Sequence, residues 1–163
     1  MIKLRKFKSS DVERLVFLAS NQNVSRYLTS FFPYPYTQED AEYWVNEGCN
    51  TGITRVIEFK GEFVGAVGAH PKAGEYQRSA TIGYWLGEPY WGNGIAAESL
   101  SILTGYVFET TNLVRLQASI FSPNKASMSV ARKAGYQCEA ILRQAIYKNG
   151  EFYDEHLYVK LKS

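Results

Sequence analysis

Apolar and polar residues alternate from Ile2 to Phe7, a period of two that predicts a half-buried strand. Behind it, Ser10-Asp11-Val12-Glu13 matches the Ser-x-x-Glu capping box and predicts a helix to about Asn21. Thr37-Gln38-Glu39-Asp40 is a weaker capping pattern with acids in the first turn, where the helix dipole favours them; this second helix should end near Gly48. Thr54 to Phe59 and Glu62 to Ala69 are β-rich runs separated by Lys60-Gly61, which is hairpin spacing. Ser79 to Leu86 ("SATIGYWL") is another strand, and beyond it Ala96, Leu100, Leu103, Val107 and Phe108 recur at helical spacing. Leu113 to Phe121 must then lie parallel to Ser79–Leu86, because the intervening helix returns the chain to its starting edge. Pro123-Asn124 opens a short helix through Ala134, with Asn124 suited to cap it and Gly135 to terminate it. Ala140 to Tyr147 and Glu151 to Leu161, joined by Asn149-Gly150, read as a hairpin with a type I′ turn.

No linker or change of composition divides the 163 residues, so residues 1–163 are expected to form one domain. With 45% hydrophobic and 21% charged residues the composition is that of a soluble globular protein, and no apolar run approaches the roughly 20 residues of a membrane span. "MIKLRKFK" has basic residues but no apolar stretch behind them, which predicts a first strand instead of a secretion signal and a cytoplasmic location. Cys49 and Cys138 have no CxxC partner and no histidine at ligand spacing, so two reduced thiols and no metal are expected. A net charge of +2, without a basic cluster, gives no reason to expect nucleic acid or a membrane as partner. The 12 Tyr, 9 Phe and 3 Trp exceed what a small core requires, so some should line a pocket.

"PYWGNGIAA", Pro89 to Ala97, stands where the strand gives way to the helix, and Gly92 to Ala97 formally satisfies G-x-G-x-x-A. A dinucleotide fold would add an acid at the tip of the next strand for the ribose, but Phe121-Ser122-Pro123-Asn124 contains none. No Gly-Lys-Ser/Thr follows either, so a P-loop fails. What remains is a set of exposed N–H groups at a helix N-terminus, suited to a pyrophosphate, or glycines that merely allow tight strand-to-helix packing.

With these blocks the sequence resembles the GNAT N-acetyltransferases, whose signature is Gln/Arg-x-x-Gly-x-Gly/Ala, and within them the Rim-type branch that acetylates ribosomal-protein N-termini. Trp91-Gly92-Asn93-Gly94-Ile95-Ala96 occupies the signature, with Trp91 in the Gln/Arg place. Further matches are "IGYWLGEPYWGNGIAAESL" (Ile82 to Leu100), "PYPYTQEDAEYWV" (Pro33 to Val45), "NKASMSVARKAGY" (Asn124 to Tyr136) and the final "YKNGEFYDEHLYVKL". The resemblance spans nearly the whole chain. It implies an α+β GNAT fold: a mixed, mostly antiparallel sheet of about seven strands, about four helices, and a fourth and fifth strand that are parallel and splay apart.

The resemblance also implies acetyl-CoA as co-substrate and an amine acceptor, in this branch a ribosomal-protein N-terminus; a homodimer is left open. It places the backbone of Tyr84, Trp85 and Leu86 along the pantetheine with an N–H on the thioester carbonyl. The amides of Gly92, Asn93, Gly94, Ile95, Ala96 and Ala97 would hold the pyrophosphate, and Asn124 would contact pantetheine or simply cap its helix. Many relatives place an acid tyrosine seven residues after that asparagine, where this chain has Ala131. Ser127 matches a branch serine that could protonate the thiolate, or it is an ordinary helix serine. A glutamate base in some members corresponds to Ile146, so Glu75, His70 and Glu139 are the remaining base candidates, alongside a water relay alone. The aromatic segment Ser30 to Tyr36, with Phe32, Tyr34 and Tyr36, would border the acceptor groove, with Glu75 near it. A small-molecule amine acceptor (polyamine, aminoglycoside or amino-acid derivative) and a non-catalytic acyl-CoA sensor stay open as alternatives.

Overall fold

The computed structural model describes residues 1–163. Strand β1 is Ile2–Arg5, followed by helices α1 (Val12–Ala19), α2 (Gln22–Ser25) and α3 (Gln38–Asn46). The chain continues through β2 (Ile53–Phe59), β3 (Glu62–Pro71), β4 (Ser79–Leu86), α4 (Ile95–Thr110), β5 (Arg115–Phe121), α5 (Lys125–Lys133), β6 (Gln137–Lys148) and β7 (Glu151–Leu161). The strands form one seven-stranded sheet in the order β1-β2-β3-β4-β5-β7-β6, the mixed sheet that the resemblance implies, in which β4–β5 is the parallel pair.

That pair is short. Ser79, Ala80 and Thr81 register with Arg115, Leu116 and Gln117, and the strands then part. Each arm is held by its outer neighbour: β4 pairs with β3 from Leu86 back to Ala80, and β5 pairs with β7 from Arg115 to Phe121. The sheet therefore carries a V between two rigid arms, with its ladder groups unpaired on the inner edges.

The two faces of the sheet have separate cores. On one, α4 packs Leu100, Leu103 and Val107 against Val67, Ile82 and Leu116, all essentially inaccessible. On the other, Leu15 and Leu18 of α1 and Ala41 and Val45 of α3 cover Val56 and Phe63. Truncating a residue such as Leu100 to alanine belongs to the class of core changes that cost roughly 2–5 kcal/mol.

Local signals and tertiary contacts compete at the first helix. The Ser10–Glu13 capping box does not form, because Asp11 is drawn to the Arg5 guanidinium, which donates to its two oxygens at 2.9 and 2.8 Å. Asp11, 4% exposed, also accepts the Lys8 N–H at 2.8 Å, so Ser9–Asp11 form a 3-10 turn and α1 starts at Val12. The Thr37 cap does form, with Thr37 Oγ1 accepting from the Asp40 N–H at 3.1 Å and Asp40 accepting from the Thr37 N–H at 2.9 Å. Helix α2 makes the helices five, one more than anticipated; a single turn capped by Asn21 is too short to leave a periodic signature. Strand β6 starts at Gln137, earlier than the pattern suggests, because register shifts at Cys138/Ala140 and Leu142/Ile146 break its alternation.

Candidate active site

The turn after β4 owes its two glycines to backbone conformation. Gly92 and Gly94 have φ of 80° and 75°, and a Cβ on either would meet no atom within 4 Å. Close packing is therefore not their purpose; they hold a left-handed path that side chains resist. Along that path none of the N–H groups of Gly92 through Ala97 donates to a protein acceptor, and bonding resumes at Glu98, whose N–H reaches the Gly94 carbonyl at 3.1 Å. A run of free amides at the start of the 16-residue helix α4 attracts an anion. The signature's two variable side chains act locally. Trp91 donates its indole N–H to the Leu86 carbonyl at 2.7 Å, fastening the turn to the end of β4, and the Asn93 amide reaches the Tyr90 and Trp91 carbonyls at 3.4 and 3.2 Å.

From this turn a cavity of about 940 Å3 runs through the V and out beneath the segment that follows α2. On the α5 side, Asn124 caps the helix by accepting the Ser127 N–H at 3.2 Å. The Ser127 hydroxyl lies 2.8 Å from the Tyr84 hydroxyl, which also donates to the Ser127 carbonyl at 2.9 Å. Burial pushes the Tyr84 phenol up to about 12, so it stays protonated and keeps its donor at neutral pH. Sequence reasoning named Tyr84 for its backbone alone. The available signal was alternation on β4, which sets Tyr84 on the same apolar face as Ile82 and Leu86, where a buried hydroxyl needs a partner. Ala131 is fully buried in the core under α5.

The opposite sheet face supplies an aromatic wall. Phe32 packs on Tyr36 and Trp85 at centroid distances of 5.2 and 5.4 Å, and Trp85 reaches Phe63 at 6.1 Å. Tyr36 is only 6% exposed and its phenol is pushed up to about 12 by burial, while Phe31 projects at the rim, 98% exposed. Tyr34 is exposed and does not line the cavity. Across the cleft Tyr27, Phe121 and Tyr153 form a trio at 5.5 to 6.3 Å.

Between these groups the chain from Ser25 to Phe32 crosses the V as a strap. Lys148, from the β6–β7 hairpin, anchors it by donating to the carbonyls of Ser25, at 2.7 Å, and Leu28, and burial lowers the Lys148 pKa. Lys148→Met should keep the stem and remove the donors. The expected result is loss of about 1–3 kcal/mol in chemical denaturation and earlier proteolytic cleavage within residues 26–32; an unchanged cleavage pattern would mean the aromatic trio suffices.

The three base candidates separate. His70 lines the cleft half-buried, and burial lowers its pKa, so its neutral form is favoured. Glu75 is exposed in the 3-10 turn Gly74–Tyr76 at the paired end of the V, outside the cleft. Glu139 receives the Arg115 guanidinium at 2.9 and 2.7 Å, which holds its carboxyl below the usual range, and it too lies outside. Ile146 faces Tyr153 across the hairpin, so the place of the branch's glutamate is apolar here. No cluster of three or more His, Cys, Asp or Glu side chains forms a metal site, and no helix is long and apolar enough to cross a membrane.

The acetyltransferase (GNAT) domain family matches residues 2–137. An N-acetyltransferase of Bacillus subtilis, YoaA, is 32% identical over 98% of this chain and 92% of its own length. Among solved structures, a GNAT acetyltransferase from Bacillus anthracis superposes with a TM-score of 0.87 at 26% identity, covering 98% of this chain and 94% of that one. RimL, a ribosomal L7/L12 α-N-protein acetyltransferase solved with coenzyme A, superposes with a TM-score of 0.86 at 26% identity, covering 98% and 93%.

Proposed function

The chain belongs to the GNAT acetyltransferase family, and from that premise we propose that it transfers the acetyl group of acetyl-CoA to a primary amine, specifically a protein N-terminal α-amine of the ribosomal-protein type, by direct attack in a ternary complex. The observation that carries this reading is the run of unpartnered amides from Gly92 to Ala97 at one end of a V whose other end opens under an aromatic strap. The likeness to RimL along nearly the whole chain supports the N-terminal acceptor.

Acetyl-CoA supplies an acyl group activated as a thioester. The amides of Gly92 to Ala97 hold its pyrophosphate, and the unpaired edge of β4 at Tyr84, Trp85 and Leu86 takes the pantetheine and offers an N–H to the carbonyl oxygen. Asn124 caps α5 and so sets Ser127 at the cleft. The amine attacks the carbonyl carbon, the C–S bond breaks, and the departing sulfur takes the Ser127 hydroxyl proton while Tyr84 turns its single proton from the Ser127 carbonyl to the Ser127 oxygen and is reprotonated from water. The proton released by nitrogen passes to His70, directly or through water. Since an α-amine has a pKa of about 8, part of it is already neutral at working pH.

Thiol release from acetyl-CoA with a panel of peptide N-termini tests the reading; tight CoA binding without release on any acceptor would instead support an acyl-CoA sensor. His70→Gln is expected to lower kcat about tenfold. Because burial depresses the His70 pKa below its ordinary 6.5, the base form survives below that pH. Beneath the limb that the amine itself sets at about pH 8, wild-type kcat should therefore show a second fall below pH 6.5, and only this lower one should vanish in the variant. An identical pH profile in both proteins would leave proton removal to water.

A further inference from the structure

The cleft contains no carboxylate. Not one Asp or Glu lines it, and its charged lining residues are Arg26, Lys125 and Lys133. Lys125 and Lys133 belong to α5, whereas Arg26 follows α2 in the strap. The nearest acids stand outside that lining: Glu88 accepts from the Asn21 and Asn23 amides at 2.9 and 3.1 Å, Glu151 accepts from the Tyr153 hydroxyl at 2.8 Å, and Glu155 lies on β7 in register with Phe121.

Aromatic faces could substitute for carboxylates in holding a cation, but two of those beside the strap, Tyr27 and Phe121, already carry the protein's own cations. The Arg26 guanidinium stands 5.2 Å from the centroid of Tyr27, and Lys148 Nζ stands 6.0 Å from that of Phe121. An additional ammonium carried into this slot would lose water, find no carboxylate on the wall and face two resident cations. Arg26 itself has no carboxylate partner among the ion pairs of the protein. A guanidinium stacked on a ring, with its fork free at the rim, matches a carboxylate or phosphate.

We infer that the acceptor is a primary amine on an apolar or aromatic body that carries no second cation and presents an anionic group to Arg26. The inference rests on the acetyltransferase reading above and narrows its acceptor: polyamines and aminoglycosides are excluded, and an N-terminus followed by an acidic residue, or a small aromatic amine bearing phosphate, is selected.

The experiment measures thiol release from acetyl-CoA with peptides beginning Ser-Phe-Asp-Asp and Ser-Phe-Lys-Lys, with O-phosphotyramine and tyramine, and with spermidine and kanamycin. The expected kcat/KM is about tenfold higher for the acidic than for the basic peptide, and lowest for spermidine and kanamycin. Arg26→Glu should remove or invert that preference while leaving the Kd for CoA and the melting temperature unchanged. Preference for O-phosphotyramine over the acidic peptide supports the inference and identifies the small acceptor; the reverse supports it and identifies the peptide. Spermidine or kanamycin matching the acidic peptide, or an acidic-to-basic ratio unaltered by Arg26→Glu, overturns it. No thiol release with any acceptor, although CoA binds, overturns the transferase reading itself and this inference with it.

Discussion

Gly94→Asp is expected to weaken acetyl-CoA binding by roughly 100-fold while the protein still folds. The space around the Gly94 Cβ position is empty, so no neighbour has to move, and the φ of 75° is one that Asp tolerates better than most residues, at a cost of roughly 1–2 kcal/mol. The damage falls on the ligand. A carboxylate at the mouth of α4 competes for the free amides and repels a pyrophosphate; two unit charges about 5 Å apart at an effective dielectric of about 20 interact by about 3 kcal/mol, or roughly a 100-fold rise in Kd. Gly94→Asn adds nearly the same bulk without the charge and should cost about tenfold or less by the same reasoning. Calorimetric titration with CoA separates the two. Equal losses would attribute the effect to shape, and an unchanged Kd in the Asp variant would overturn the placement of the pyrophosphate.

Ser127→Ala is expected to lower kcat by about 100-fold, the scale of a lost general acid, while the Kd for acetyl-CoA shifts by less than about threefold. Removing the Oγ takes away one partner of the Tyr84 hydroxyl and leaves its donation to the Ser127 carbonyl, so the fold should hold. Tyr84→Phe keeps Ser127 and removes the group behind it; a loss of about tenfold in kcat is expected, with little change in KM. With the Tyr84 phenol at about 12, neither variant should change a kcat limb between pH 6 and 9. Pre-steady-state thiol release is the measurement, because product dissociation would hide a slowed chemical step. Wild-type rates in Ser127→Ala would reduce that residue to a first-turn helix serine.

Much of this site was legible in the linear pattern. The order strand, glycine turn, helix, strand predicts the parallel pair, and Gly92 and Gly94 mark the turn because only a left-handed path calls for glycine there. The Thr37 and Asn124 caps were equally readable, since each is satisfied by a backbone N–H three residues on. Other local patterns misled. Ser10–Glu13 is a formally correct capping box that does not form beside the Arg5–Asp11 pair, and Glu75 and Glu139, plausible base candidates in the sequence, do not line the cleft. Tyr34 and Tyr36 are two residues apart and look alike, yet one is buried at the cleft wall and the other exposed away from it.

The difference lies in how far apart the interacting groups are along the chain. Periodicity, caps and positive-φ turns are properties of a few neighbouring residues, so the sequence by itself determined most of the elements, their order and the glycine turn. The Tyr84–Ser127 hydroxyl pair joins residues 43 apart, and Lys148 reaches the Ser25 carbonyl across 123. The tertiary structure alone decided those contacts, along with the aromatic strap and a cleft without carboxylates, because each arises only when β5 and β7 pair away from β4 and leave the V open.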